Sequence, residues 1–387
     1  MDFERREKIF GTIMLVLFTA AVTFVITVFG VTYYRDNIRI SENTRELDEK
    51  LELVRRYIDK YYFGEIDEEK LREGAVKGFV DGLGDRFTRF LTPEELETTM
   101  NAIRGDFVGI GIYMQPNREG YVVVMSPIEN SPAEEVGLRP GDIILTVDGV
   151  EIRGMDLTLV SSKIMGEERT VVELVISRDG ERIEKRITRR QIIVASVRSG
   201  MLENDIGYIE IASFGTRSAD EFEKQLNELQ AQGMRSLIID LRSNGGGTVD
   251  SALQIADLLV PRNRILMVTA NRDGNEIVTA RSGNSIDIPV VILVDRLSAS
   301  ASEILAGALR DNNVGTLIGE TTFGKGSVQS IREICEIGAI SVTTAEFKTP
   351  NGDPINEVGI EPDIVVEYVR DSGIDEQLNR AIEYLMR

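Results

Sequence analysis

The pattern of hydrophobic and polar positions changes along the chain, and it begins with one long apolar run. Residues 9–34 carry no charged side chain, and about 20 apolar residues are enough to cross a bilayer as a helix. Arg5, Arg6 and Lys8 precede the run, which favours a cytoplasmic position for residues 1–8. The run shows no clear small-residue cleavage site. We interpret it as a signal anchor; a cleaved signal peptide and a buried core helix are the alternatives.

Residues 41–100 show a helical pattern, because apolar residues recur there every three or four positions. One predicted face carries Leu47, Leu51, Val54 and Ile58. Thr92, followed by Pro93 and Glu95, predicts a capped helix start. These helices and the closing segment 375–387 could pack within one chain or form a homodimer interface, and the sequence leaves both uses open.

Residues 105–192 show a different pattern, because short β-rich runs alternate with Gly, Pro and Asp-Gly turns. This pattern predicts a small mixed β domain. The stretch "SPAEEVGLRPGD" predicts a one-turn helix that begins at Ser131-Pro132 and ends at Gly137. The stretch "MDLTLVSSKIMG" predicts a longer helix.

Residues 193–387 show buried-type strands alternating with helices, which predicts a parallel sheet covered by helices. Ligands of such sheets bind at the carboxyl ends of the strands. Two polar loops, 242–247 and 295–302, follow predicted strands at those ends. The chain is thus predicted to be a multidomain α/β protein whose chemistry lies in this last region.

The amino-acid composition excludes several classes of partner and catalytic site. A net charge of −20 disfavours nucleic acid as a partner. The chain contains no histidine, which excludes Ser-His and Cys-His pairs and any zinc site built on imidazole. Its one cysteine, Cys335, lies in an alternating, strand-like stretch and is expected to be buried and structural.

The stretch "GETTFGKGSVQS", residues 319–330, could be a phosphate-binding loop or a loop that carries a catalytic lysine. A phosphate loop requires Ser or Thr after the lysine and a helix that begins there. Gly326 follows Lys325 instead, and strand-like residues come next. A buried lysine can act as a general base when its amine is neutral. Gln329 could orient that amine, and the alternative is a surface lysine in a glycine turn.

The serine candidates lie in "SASAS", at a predicted strand-to-helix turn. They are Ser298, Ser300 and Ser302. A nucleophile is exposed at such a turn, and the helix N-terminus favours developing negative charge. An oxyanion could be held by the amide after the nucleophile and by one amide of the "NGGG" loop. The alternative is a cluster of helix-capping serines.

Taken together, the motifs resemble those of the carboxyl-terminal processing (tail-specific) peptidases. "SASASEILAGALRDN", "GETTFGKGSVQS", "LIIDLRSNGGG" and "NGDPINEVGIEPDIVV" resemble the protease core of that family. "FVGIGIYM" and "SPAEEVGLRPGDIILTVDGVEI" resemble its PDZ domain, and "DRFTRFLTPEE" the segment before it. The resemblance extends over about residues 40–387. It implies a ClpP/crotonase-like α/β protease core with an inserted β-rich PDZ domain.

The resemblance also implies roles for particular residues. Ser300 would be the nucleophile, Lys325 the general base and Gln329 its support. The oxyanion donors would be the amides of Ala301 and of one glycine of 245–247, for which Gly246 is chosen. The family's loop often reads Asn-Pro-Gly-Gly, so the sequence here leaves the register of that donor open. Many relatives also have glycine where this chain has Arg169.

PDZ domains bind an extended peptide as an added strand and hold its terminal carboxylate with backbone amides. The stretch "VGIGI" resembles the carboxylate-binding loop, so the candidate peptide-binding residues are Val108, Gly109, Ile110 and Gly111. An ordinary glycine turn is the alternative. In this family the PDZ domain can also gate the active site.

Two functions follow as hypotheses. The first is a single-pass, membrane-anchored endopeptidase on the extracytoplasmic side of a bacterial cell. It would bind proteins with apolar C-termini and cleave them through an acyl-enzyme, without metal or cofactor. The second is a PDZ peptide-binding or regulatory protein whose protease core is inactive or permanently gated. The presence of Ser300, Lys325 and Gln329 together favours the first.

Overall fold

The structure is a computed structural model that describes residues 45–117, 119–283, 285–368 and 373–387. The chain forms two compact units that divide after Arg72. The predicted cytoplasmic segment 1–8 and the predicted anchor 9–34 lie outside the described residues. Within the described ranges, no helix combines the length and the apolar character needed to cross a bilayer.

The described part of the first unit contains the charged helix α1, which covers residues 45–61. Ion pairs one turn apart link its surface: Glu46–Lys50, Glu52–Arg56 and Arg55–Asp59. Such pairs each contribute a few tenths of a kcal/mol to an isolated helix. Side chains of the predicted apolar face remain accessible, since Leu51 is 44% and Val54 is 55% exposed. The homodimer stays a prediction.

Helix α2 (Glu68–Asp81) leads into the second unit, and β1 (Arg89–Leu91) and α3 (Pro93–Arg104) follow it. The predicted start of α3 is confirmed. The hydroxyl of Thr92 accepts a hydrogen bond from the backbone N–H of Glu95, and the Glu95 carboxylate accepts one from the backbone N–H of Thr92. This reciprocal cap fixes the point where the chain leaves β1.

The β-rich region consists of short antiparallel strands and two helices. The strands are β2 (Asp106–Gly109), β3 (Ile112–Pro116), β4 (Val122–Pro127), β5 (Ile143–Val147), β6 (Val150–Glu151), β7 (Val171–Arg178), β8 (Glu181–Thr188) and β9 (Arg190–Ile193). The helices are α4 (Pro132–Glu135) and α5 (Leu157–Ile164). One sheet has the order β3-β4-β5-β7-β8, and β2 pairs separately with β9. Arg169 has φ 68°, a backbone conformation that favours glycine.

The α/β region follows, with its strands and helices in the predicted alternation. Its strands are β10 (Val197–Met201), β11 (Ile206–Ile211), β12 (Ser236–Asp240), β13 (Ile265–Asn271), β14 (Gly274–Thr279), β15 (Val290–Val294), β16 (Thr316–Gly319), β17 (Ser327–Glu333), β18 (Ala339–Lys348) and β19 (Ile364–Val365). Its helices are α6 (Ser218–Ala231), α7 (Val249–Leu259), α8 (Ala301–Asp311) and α9 (Glu376–Leu385).

The central sheet has the order β10-β11-β12-β15-β16-β19. Every pair in it is parallel except β10 with β11. Side chains alternate between its two faces: Ile239 and Ile292 pack in the core that includes α6, α7 and α8, whereas Ile238 and Leu293 pack in the core that includes α9. Burial on both faces explains why these strands read as continuous apolar runs.

A second sheet joins β1, β18, β13 and β14, and β17 also pairs with β18. The prediction that Cys335 is buried was wrong, because it is exposed. The chain turns between β17 and β18 at residues 335–337, and Cys335 has φ 44° there. The strand-like alternation continues through this turn, so the pattern alone concealed the connection between the two strands.

Candidate active site

Three loops meet at the carboxyl ends of neighbouring parallel strands β12, β15 and β16. Asp295, directly after β15, links the loop after β12 to the loop after β15. Its carboxylate accepts hydrogen bonds from the backbone N–H of Ser243 and of Ser298, each at 3.0 Å. The hydroxyl of Ser298 donates to the backbone carbonyl of Leu241 at 2.8 Å. Ser298 is therefore a buried structural serine rather than an exposed nucleophile.

Ser302 is also buried, and its hydroxyl donates to the carbonyl of Asn244 at 2.9 Å. Ser300 differs from both neighbours. It precedes the first residue of α8 with φ 56° and ψ −111°, a strained conformation for a residue with a side chain. A sharp strand-to-helix turn with a strained serine is the arrangement that exposes a nucleophile above a sheet. The structure thus separates one serine of the three from the two that hold the loops.

A buried carboxylate links the serine turn to the lysine loop. Glu303 is fully buried in the first turn of α8. Its Oε2 accepts hydrogen bonds from the backbone N–H of Ser300 at 2.8 Å and from that of Lys325 at 2.9 Å. Because the two amides share one oxygen, their nitrogens lie less than about 6 Å apart. Its Oε1 accepts from the hydroxyl of Thr322 at 2.6 Å and from the N–H of Gly324 at 2.7 Å.

Sequence reasoning did not assign a role to Glu303, although a signal was present. A serine followed three residues later by glutamate at a helix start is the pattern of a capping box. Here that pattern does more than begin a helix, since the same carboxylate also holds the loop 322–325. The sequence could not show this second use, because it depends on the packing of β16 beside β15.

The amine of Lys325 is half-buried and lies 4.8 Å from the centre of the Phe87 ring. Burial lowers the pKa of this amine from its ordinary value, the positive charges of Arg89 and Arg86 lower it further, and the Glu303 carboxylate opposes them. Among the described residues the amine has no hydrogen-bond partner. This is the environment that a lysine needs to act as a base.

Gln329 lies on β17, the strand that follows the lysine loop. Its side-chain amide donates to the hydroxyl of Ser327 at 2.9 Å and to that of Thr343 at 3.4 Å. In this arrangement the Gln329 amide is held by β17 and β18 rather than by the Lys325 amine. The orienting role of Gln329 stays a prediction.

The two predicted oxyanion donors lie beside the serine. A Cβ placed on Gly246 would lie 2.9 Å from the Cβ of Ser300 and 2.7 Å from the carbonyl oxygen of Ala299. Only glycine fits at this approach, which has φ 102°. The N–H of Gly246 donates to the side-chain oxygen of Asn244 at 2.9 Å. The N–H of Ala301 makes no hydrogen bond within the described part of the chain.

A second candidate site is a cavity of about 940 Å³ beside the β-rich region. Val108, Ile110 and Gly111 line it, together with residues of α5, and Gly109 ends β2 next to them. Ile110 and Gly111 lie between β2 and β3, and their N–H groups have no acceptor within the described residues. Free amides beside an edge strand and an apolar cavity are what a peptide terminus needs.

Comparisons with known proteins agree with this architecture. Residues 205–366 match peptidase family S41, and residues 123–178 match the PDZ domain family. The chain is 33% identical over 368 residues to the carboxy-terminal processing protease CtpA of Bacillus subtilis, covering 94% of this chain and 78% of that protein. It is 38% identical over 301 residues to the carboxyl-terminal-processing protease of Synechocystis, covering 76% and 70% of the two chains.

The fold comparison gives the same result. The structure matches the photosystem II D1 C-terminal processing protease with a TM-score of 0.51 and 31% identity, over 86% of this chain and 90% of that one. A mixed α/β peptidase domain combined with a PDZ domain defines a PDZ-containing serine protease. The chain belongs to the S41 family of carboxy-terminal processing proteases, as its motifs predicted.

Proposed function

We propose that this chain is an endopeptidase in which Ser300 is the nucleophile and Lys325 is the general base. One observation carries the proposal: the backbone amides of both residues donate to the same buried oxygen of Glu303. A shared acceptor holds the two residues beside one another without help from any imidazole, and the chain contains none. The lowered pKa of the Lys325 amine supports the same roles.

The reaction begins when the neutral amine of Lys325 takes the proton of the Ser300 hydroxyl as its Oγ attacks the substrate carbonyl. The N–H groups of Ala301 and Gly246 hold the oxyanion. The lysine ammonium then gives its proton to the leaving amine, and an acyl-enzyme remains. Water attacks the ester with Lys325 again as base, and Ser300 recovers its proton when the acid product leaves.

Two adjustments accompany substrate binding in this proposal. The N–H of Gly246 leaves the side chain of Asn244 and turns to the oxyanion, and the Lys325 amine moves from the Phe87 ring toward the Ser300 hydroxyl. Catalytic hydrogen bonds are often long in ligand-free enzymes and shorten when substrate binds. Gln329 would then hold the amine in its reactive position.

We further propose that the substrates are proteins with apolar C-termini, which the PDZ domain binds through the cavity at Val108, Ile110 and Gly111. The free amides and the apolar lining support this class of ligand. In the competing function, a peptide-binding protein with an inert core, the PDZ cavity would serve alone. The isolation of Ser300 from the buried Ser298 and Ser302 favours the enzyme.

The decisive experiment incubates the full-length chain with an unstructured protein that ends in apolar residues. Ser300→Ala should abolish cleavage. Lys325→Arg should lower it by about 10²-fold or more, because arginine keeps its proton and cannot act as a base. Lys224→Arg, on the exposed face of α6, is the matched control and should cleave like wild type. Equal survival of the substrate with wild type and Ser300→Ala would exclude the protease.

The location is also proposed. The apolar run 9–34 would anchor the chain in the cell membrane and place residue 45 onward outside the cytoplasm. Protease added to intact cells should then degrade residues 45–387, and removal of residues 1–40 should release the chain from the membrane fraction. Protection of the chain until the cells are broken would place it on the cytoplasmic side.

A further inference from the structure

A turn before β1 lies against the proposed base, although no motif of catalytic type occurs in it. Asp85 fixes this turn. Its carboxylate accepts hydrogen bonds from the backbone N–H of Phe87 at 3.1 Å and from the hydroxyl of Thr88 at 2.5 Å. The same carboxylate accepts from the hydroxyl of Thr343 on β18 at 2.6 Å. The turn is therefore tied to the sheet that also carries β17 and its preceding lysine.

The ring of Phe87 lies close to two basic side chains. The amine of Lys325 is 4.8 Å from the ring centre, and the guanidinium carbon of Arg86 is 4.9 Å from it. Because both distances are measured to the same ring centre, the Lys325 amine and the Arg86 guanidinium lie within about 10 Å of each other. That separation is about one Debye length at 0.1 M ionic strength, so the charges still interact.

We propose that the turn 85–89 is a positioning element of the catalytic base, in which Phe87 covers the Lys325 amine while Arg86 and Arg89 hold it in the neutral form. The proposal rests on the proposed role of Lys325 as general base. Asp85 acts through the turn, by keeping Phe87 and the two arginines in place. None of these four residues needs to touch the substrate.

The charges that face the amine come from three elements. Arg86 and Arg89, on the turn and on β1, disfavour its protonation, whereas the Glu303 carboxylate on α8 favours it. The pKa of Lys325 falls chiefly through burial, and the arginines add to that shift. Because both arginines are exposed, water and salt screen them, so each is expected to have a modest and salt-dependent effect.

The test is the pH profile of kcat/KM for Arg86→Gln, Arg89→Gln and the double variant, measured on the full-length chain at low salt. Activity should rise with pH as the Lys325 amine becomes neutral. Loss of each arginine should move this rise to higher pH, which lowers kcat/KM by about twofold near pH 7 and by about fourfold in the double variant. At alkaline pH the variants should reach the wild-type plateau.

Arg332→Gln is the matched control, because Arg332 is an exposed arginine on β17 of the same sheet and is not among the groups that act on Lys325. Its profile should equal that of wild type. Near 1 M salt, where the Debye length is about 3 Å, the wild-type profile should move toward that of the double variant. Profiles that coincide at low salt would overturn the proposal, as would a uniform loss of activity at all pH values.

A second measurement is independent of turnover. The titration of ¹³C-dimethylated Lys325 is followed by NMR in the Ser300→Ala chain, with Lys325→Arg to assign the signal. Its pKa should rise when Arg86 or Arg89 is replaced, and an unchanged pKa would contradict the role of the turn. If Lys325→Arg cleaves substrate normally, the proposed protease mechanism fails instead, so the two failures are distinguishable.

Discussion

At the scale of single residues, Glu303 connects the serine turn to the lysine loop through its hydrogen bonds. Its fully buried carboxylate is the common acceptor for the N–H of Ser300, the N–H of Lys325, the N–H of Gly324 and the hydroxyl of Thr322. Four donors saturate the acceptor capacity of a carboxylate. The residue therefore sets both the strained turn of the nucleophile and the loop of the base.

This saturation gives a prediction for Glu303→Gln. One end of the glutamine amide is a donor, so two of the four donors would face an N–H group and lose their partner. Each buried donor left unpaired costs about 1–3 kcal/mol, and we expect a loss of about 3 kcal/mol in the free energy of unfolding. We also expect kcat to fall by at least tenfold or so, because Ser300 and Lys325 lose their common support.

Denaturant unfolding and steady-state kinetics measure these two effects. The matched control is Glu333→Gln, an exposed glutamate at the end of β17, which should change stability by less than about 0.5 kcal/mol. A Glu303→Gln chain with wild-type stability and wild-type kcat would show that the shared carboxylate oxygen is not what holds the site together.

At the scale of elements, an arginine joins the last helix to the central sheet. The guanidinium of Arg242, just after β12, donates to both carboxylate oxygens of Asp375 at 2.7 and 2.9 Å. It also donates to the buried carboxylate of Asp240. Asp375 in turn caps α9 by accepting from the N–H of Leu378 at 3.0 Å. Helix α9 is thus held by Arg242. That arginine lies two positions before Asn244, the first residue of the predicted oxyanion loop.

Asp375→Asn should weaken this docking. Burial raises the pKa of Asp375, but the hydrogen bonds from Arg242 outweigh it and hold the pKa below its usual value. A carboxyl group with a lowered folded-state pKa stabilises the protein above its unfolded pKa and loses that contribution as pH falls through the folded value. Because the side chain of Asp375 is 38% exposed, solvent screening limits the expected loss at pH 7 to about 1 kcal/mol.

Hydrogen exchange of α9 amides and urea unfolding at several pH values test this prediction. The difference between Asp375→Asn and wild type should be largest near neutral pH and should shrink as pH falls from about 5 through the lowered pKa of Asp375. Glu376→Gln, an exposed change in the first turn of the same helix, is the matched control and should change the free energy of unfolding by less than about 0.5 kcal/mol. A constant difference at all pH values would mean that the ion pair with Arg242 does not dock the helix.

At the scale of the whole molecule, the sequence predicted those features that local patterns determine. Buried strands alternating with helices gave the parallel sheet, and the Thr92 and Glu95 pair gave the start of α3. The glycine-lysine loop and the serine cluster were found because their residue types stand out in a chain without histidine. What joins them, the Glu303 carboxylate and the Phe87 ring, was not predicted.

The reason is the distance along the chain. Phe87 meets Lys325 because β1 pairs with β18, a contact between residues more than two hundred positions apart that no local pattern encodes. The prediction that Cys335 is buried was wrong for the opposite reason. The local alternation was regular, but the turn between β17 and β18 interrupted the strand. Long-range contacts and short turns inside apparent strands are therefore the features that required the structure.

The loop at Ile110 and Gly111 should determine which protein tails the molecule binds. The N–H groups of Ile110 and Gly111 can donate hydrogen bonds to a terminal carboxylate only if the peptide has a free C-terminus, because an amidated C-terminus carries no charge. Hydrogen bonds to a charged group contribute about 1.5–3 kcal/mol. A peptide with an apolar free C-terminus should thus bind the full-length Ser300→Ala chain on the order of tenfold more tightly than its amidated form. Calorimetry measures both affinities without cleavage.

Gly111→Ala tests whether the C-terminal carboxylate of the peptide binds at this loop. Gly111 has φ 77°, and a Cβ there would lie 2.4 Å from the Cβ of Ser131, so the loop must shift and the preference for a free carboxylate should disappear. Gly180→Ala is the matched control, because Gly180 also has a positive φ, 85°, but no neighbouring atom lies within 4 Å of its added Cβ. Equal affinity for the acid and the amide in the chain without the Gly111 change would place tail recognition elsewhere on the molecule.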